Sequence, residues 1–167
     1  PKNADLYYAR AEQYFELEGF DEAIADLNKA ISIDSSKVDY YHLLADTYMD
    51  YFKSFKALKT LETAVMRFPR RIPTLLKLSE FQMILQMHKE SMKTIDQALQ
   101  IDPQNAEAFF MFGMNFKEMG DTARAINSFQ TAVENDPDLV DAWINLGQLH
   151  AALGNTIAGR YFETATR

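Results

Sequence analysis

The chain has no cysteine, and that absence removes disulfide staples, thiolate nucleophiles and the ordinary Cys/His zinc site. Glycine and proline are scarce, six and five residues in 167. A turn-rich sandwich or a low-complexity tail needs more of both. No apolar run approaches the roughly 20 residues of a membrane-spanning helix, so membrane insertion is not expected. Cations are the minority charge, 17 Lys and Arg against 24 Asp and Glu, for a formal charge of −7. Nucleic-acid binding draws on clustered Lys and Arg and is not expected either; a basic or neutral partner is. Glycine-rich phosphate loops, HExxH pairs and an ordered Ser/His/Asp set are missing as well. His42 is read on an outward helix face, His88 in a turn and His150 in the core. The expectation is no enzyme activity, no cofactor and no metal.

What is present is periodicity. With 47% apolar residues the chain can bury a sizeable core as one domain. A pattern recurs every 34 residues, in blocks starting at Ala4, Val38, Ile72, Ala106 and Val140. The eighth column is small throughout: Ala11, Ala45, Ser79, Gly113, Gly147. The twentieth holds Ala23, Ala57, Ser91 and Ala125, and the twenty-seventh Ala30, Ala64, Ala98 and Ala132. Small residues let two helix axes come toward the short end of the ~8–10 Å packing range. Large apolar residues stand beside them, Tyr7, Tyr41, Leu75, Phe109 and Trp143 in the fourth column and Leu27, Leu61, Ile95 and Phe129 in the twenty-fourth. The three- and four-residue spacing is that of one helical face, a core stripe. Breakers at Asp34-Ser35, Pro69, Asp102-Pro103 and Asp136-Pro137 end each block, since proline removes a donor and disfavours helix before it. Turns are expected mid-block at Glu18-Gly19, Phe52-Lys53, Gln86-Met87, Gly120-Asp121 and Gly154-Asn155.

These columns resemble the tetratricopeptide repeat family, most clearly over residues 98–120 (ALQIDPQNAEAFFMFGMNFKEMG) and 140–154 (VDAWINLGQLHAALG). The resemblance covers nearly the whole chain. It implies an all-α, right-handed superhelical solenoid of about five hairpins, one domain over residues 1–167 with repeats 4–37, 38–71, 72–105, 106–139 and a truncated 140–167. Arg10 stands where the family has leucine, which suits a first repeat facing water. Gln82 and His150 replace an aromatic, so looser or hydrogen-bonded packing is expected there. Ala158, Phe162 and Ala165 restore the last block's pattern after one residue is deleted, implying a tighter turn. Pro1-Lys2-Asn3 is similar to the tail of the turns at Asp102 and Asp136, so a preceding repeat is expected. Arg167 stops within a second helix, leaving Ile157, Tyr161 and Phe162 partly exposed. A fragment boundary is one reading of that end and self-association is the other.

In the resembling family, first helices line a concave groove that takes peptides. The corresponding columns of the first two blocks carry Asp5, Tyr8, Glu12 and Glu16, then Asp39, His42, Asp46 and Asp50. Six carboxylates on neighbouring helices set up a field that favours a cationic segment, although acids early in a first helix also suit its dipole. The third block continues with Leu76, Glu80 and Met83, and the fourth with Phe110, Met111 and Met114. Flexible thioethers suit varied apolar partners, or simply fill a core. An apolar pocket there would make the Phe110→Ala/Met114→Ala pair lose peptide capture with helicity nearly intact. Asn145 resembles one member of a peptide-binding asparagine ladder, while Tyr8 and Glu12 stand where the family's carboxylate clamp would need Lys and Asn. The second block sums to +2, six basic against four acidic residues, on a stretch read as a solvated face or a dock for an acidic partner. The expected function is a non-catalytic protein-interaction scaffold holding an apolar or basic segment. The alternative is a regulatory or substrate-presenting arm of a larger enzyme or assembly, and a spacer is the third reading. A soluble protein is expected, with the compartment left open between the cytoplasm and, if a signal precedes residue 1, the periplasm.

Overall fold

A computed structural model describes residues 3–167, and the regular structure among them is entirely helical. The helices are α1 (Ala4–Glu16), α2 (Phe20–Ile33), α3 (Val38–Asp50), α4 (Ser54–Arg67), α5 (Ile72–Ile84), α6 (His88–Ile101), α7 (Ala106–Glu118), α8 (Thr122–Asn135), α9 (Val140–Ala152) and α10 (Ala158–Ala165). They fall into two compact units, one ending at Phe81 and one starting at Gln82. In the first, α1 packs on α2, α2 on α3 and α3 on α4; in the second, α6 packs on α7, α7 on α8, α8 on α9 and α9 on α10. Pro1 and Lys2, on which the expectation of a preceding repeat rests, lie outside the described residues. No helix among the described residues is long and apolar enough to cross a membrane.

Local chemistry sets the helix ends. Asn105 and Asp121 cap α7 and α8, their side-chain oxygens accepting from the Ala108 and Arg124 N–H groups at 2.9 and 3.1 Å. Asp34, Asp102 and Asp136 stop α2, α6 and α8 in extended conformation. Each carboxylate then accepts from the N–H two residues on, at 2.9, 3.2 and 3.0 Å, which folds the link back toward the next helix. Each hairpin turns at one residue of positive φ: Glu18 (58°), Phe52 (60°), Gln86 (62°), Gly120 (78°) and Gly154 (72°). The next N–H reaches back to the carbonyl five residues earlier, Gly19 to Tyr14 and Lys53 to Tyr48 at 2.8 Å, Asp121 to Phe116 and Asn155 to His150 at 2.9 Å.

The last hairpin keeps this turn and loses its residue just after it. The Ala23, Ala57 and Ala125 N–H groups bond to carbonyls four residues back, whereas Ala158 bonds only three back, to Asn155. A tighter first turn absorbs the deletion and returns Ala158, 8% exposed, to the buried register.

The first, fourth and fifth hairpins close through the small residue of their first helix. Ala11 and Leu27 are buried in one cluster of the first unit. In the second unit the pair becomes Gly113 with Phe129, and a Cβ on Gly113 would meet the Phe129 ring at 2.6 Å. Gly147 is covered in the same way by Phe162, again at 2.6 Å. Three polar residues in core columns are handled individually. Arg10 does face water, but its guanidinium also holds the buried Asp26 carboxylate through two bonds of 2.7 Å. Gln82 is buried and accepts from the Thr94 hydroxyl at 2.8 Å. His150 lies 5.1 Å from the Tyr161 ring, stacked, with Nδ1 3.0 Å from Asn155 Nδ2.

Gly113→Ala is expected to cost roughly 1–3 kcal/mol, because the added methyl must displace an enclosed ring. Gln86→Gly should instead add about 1 kcal/mol by relieving a left-handed non-glycine residue. Urea unfolding followed by circular dichroism checks both signs.

Candidate functional site

On the first unit, α1 and α3 build the acidic face around Tyr8. Its ring lies 5.1 Å from the ring of Tyr40, and buried Tyr40 donates its hydroxyl to Asp5 Oδ1 at 2.5 Å. Asp5 is therefore engaged. Burial first, then the Glu12, Asp39 and Asp46 carboxylates, pushes the Tyr8 phenol up to about 12. Acids from two helices thus converge on one neutral, hydrogen-bonding side chain. His42 is half-buried on the same helix as Asp39 and Asp46, with Nε2 2.9 Å from Thr74 Oγ1. Burial and the Lys77 ammonium, with a smaller push from Arg71, lower its pKa below 6.5 against the opposing pull of Asp39 and Asp46.

The face differs from the sequence expectation in two ways. Asp46 is paired with Lys77 at 2.7 Å, and Lys77 also lies 5.5 Å from the Phe81 ring centroid. The acid count omitted this lysine, which helical spacing could have found, because it stands one turn from Glu80 on α5. Leu76, expected to line an apolar pocket, is 8% exposed and part of the core. Glu80 is exposed. Glu16 and Asp50, at the C-terminal ends of α1 and α3, line a different cavity with Phe15 and Phe52.

On the second unit the apolar candidates are largely consumed by packing. Met83 is buried. Phe110 and Met114 lie half-buried against the Ala125–Phe129–Leu146 cluster, with the Phe110 ring 5.5 Å from that of Phe129. The Phe110→Ala/Met114→Ala pair therefore removes core contacts as well as surface. Met111 is half-buried, and its carbonyl accepts from Asn115 Nδ2 at 3.1 Å. Asn145 is not a free ladder residue: Oδ1 accepts from Lys117 Nζ at 2.7 Å, and Nδ2 donates to the Asp141 carbonyl at 2.8 Å. His88, read as a turn residue, is the first residue of α6. Its Nδ1 is 3.0 Å from Oδ1 of fully buried Asn115, whose Nδ2 donates to Ser91 at 2.9 Å. Lys117 and Asn115 were not singled out from the sequence, because their roles depend on neighbouring helices.

Among the described residues no group of three or more His, Cys, Asp or Glu is placed to hold a metal ion. The surface offers a phenol, carboxylates and half-buried apolar side chains, an inventory suited to non-covalent binding.

The family described as TPR repeat matches residues 11–50 and 113–154, and that described as Tetratricopeptide repeat matches residues 72–105. Protein O-mannosyl-transferase TMTC1 of Mus musculus is 27% identical over 142 residues, which is 82% of this chain. The chain spans only 15% of that mouse protein's length. Among solved structures, pilF of Pseudomonas aeruginosa is similar with a TM-score of 0.81 at 19% identity, covering 98% of this chain and 75% of that one. MamA from Desulfovibrio magneticus RS-1 gives 0.75 at 14% identity, covering 98% and 93%. At these identities both likenesses are of fold.

The His42 environment sets a pH dependence. A lowered pKa means the folded chain resists a proton that the unfolded chain accepts, so stability is intact above pH 6.5 and falls as the pH drops below it. An imidazole NMR titration should place the His42 midpoint below 6.5, and Lys77→Gln should move it upward. A midpoint unchanged by Lys77→Gln would remove Lys77 from the account.

Proposed function

Because this chain belongs to the tetratricopeptide repeat family, whose repeats are typical of protein-interaction scaffolds, we propose that it does no chemistry of its own and holds a protein segment on its first-helix faces. The segment is basic with interspersed apolar residues. The observation that carries this reading is the convergence of Glu12, Asp39 and Asp46 on Tyr8. Asp46 already has Lys77, so Glu12 and Asp39 are the acids left to meet an incoming cation, and Tyr8 supplies a ring and a hydroxyl between them. Half-buried Phe110, Met111 and Met114 give the second unit an apolar surface that a side chain can extend without opening the core.

Immobilised basic-apolar peptides should retain the protein, and acidic peptides of matched hydropathy should not. Retention should weaken at high salt, because exposed charge pairs are screened. Glu12→Lys/Asp39→Lys should abolish it, while Lys59→Glu, on the outer face of α4, leaves it unchanged. Equal retention by the double variant would sink the acidic-face reading.

The partial match to Protein O-mannosyl-transferase TMTC1 favours a second reading, in which the same face presents a protein substrate to an enzymatic portion of a longer chain. In that case the Glu12→Lys/Asp39→Lys pair in the full-length protein should raise KM for a polypeptide acceptor and leave kcat nearly unchanged. An unaltered KM would leave the scaffold reading alone.

A further inference from the structure

The turn edge of the first unit carries aromatic surface that its core does not use. Phe52 is 93% exposed and sits at φ 60°, the position held by Gly120 and Gly154 in later hairpins. Glycine there would relax the backbone and leave no ring in water; phenylalanine is unfavourable on both counts. Beside it the ends of α1 and α3 enclose an open cavity of about 520 Å³, walled by Phe15, Phe20, Met49 and Phe52. Glu16, Glu18 and Asp50 stand in the same lining, and none of their three carboxylates has an ion-pair or hydrogen-bond partner among the described residues. The nearby cation Lys53 is engaged elsewhere, its ammonium 4.3 Å from the Tyr51 ring centroid.

We propose that this cavity is a binding site for an arginine side chain presented by a partner polypeptide. Its volume lies in the ~300–1,000 Å³ range of ligand sites, with room for the arginine and part of an apolar neighbour. Aromatic walls accept the flat face of a guanidinium, and free carboxylates at its edge accept its N–H groups in pairs. A lysine ammonium, compact and strongly hydrated, uses only the charge. The site does not depend on the Tyr8 face, because its walls and acids are a different set of residues.

Amide NMR titration of the 167-residue chain with acetyl-Leu-Arg-Leu-amide, and with the uncharged citrulline peptide as control, tests it. The arginine peptide should shift the amides of Glu16, Gly19, Asp50 and Phe52, and the citrulline peptide should not. Glu16→Gln/Asp50→Asn should weaken binding about fivefold to tenfold, as expected for losing charge-assisted bonds at a partly exposed site. Phe52→Gly should lose binding while its Tm is unchanged or higher, which separates binding from folding. Equal shifts with both peptides, shifts confined to the Tyr8 and Asp39 amides, no shifts, or undiminished binding by Phe52→Gly would each overturn the proposal.

Discussion

Everything in this protein depends on how closely the two helices of a hairpin can cross. Where the first helix has alanine, leucine of the second helix fills the crossing; where it has glycine, a phenylalanine ring lies directly over the bare backbone. Phe129, with no exposed surface, contributes on the order of 1.5–3 kcal/mol by burial alone, and only the absence of a Cβ at Gly113 permits it. The crossing also determines which face of each first helix is left outside. The exposed surface is the remainder after the core has taken its share.

That share explains why the exposed apolar surface is smaller than the residue pattern implies. Leu76 and Met83 occupy outward columns by count, yet both are buried, and Phe110 is held against Phe129. A column describes direction around one helix axis, whereas burial depends on what lies opposite. Large flexible side chains at the margin of a stripe are drawn into the nearest gap, because leaving them in water forfeits dispersion contacts and apolar transfer energy.

The charges show the same interplay. A run of acids on neighbouring helices is a repulsive arrangement, and the fold relieves part of it with single cations supplied from other helices: Lys77 to Asp46, Arg10 to Asp26. Lys117 is likewise occupied by Asn145. Glu12, Asp39, Glu16, Glu18 and Asp50 receive no such cation. Burial first, and then the carboxylates of Glu12, Asp39 and Asp46, push the Tyr8 phenol up to about 12.

The amino-acid sequence by itself determined the all-helical class, the 34-residue spacing and the position of every turn, because caps, breakers and the small-large alternation act within one hairpin. The helices start at Ala4, Val38, Ile72, Ala106 and Val140, where the blocks begin, and even the one-residue deletion before Ala158 was legible. Only the tertiary structure decided which acids are compensated, which methionines are buried and that His88 bonds to Asn115. Those outcomes join residues 16 to 35 positions apart, such as Arg10 with Asp26, His42 with Thr74 and Tyr40 with Asp5. The physical reason is range: helical periodicity fixes direction within one element, while pairing and burial depend on distance between elements.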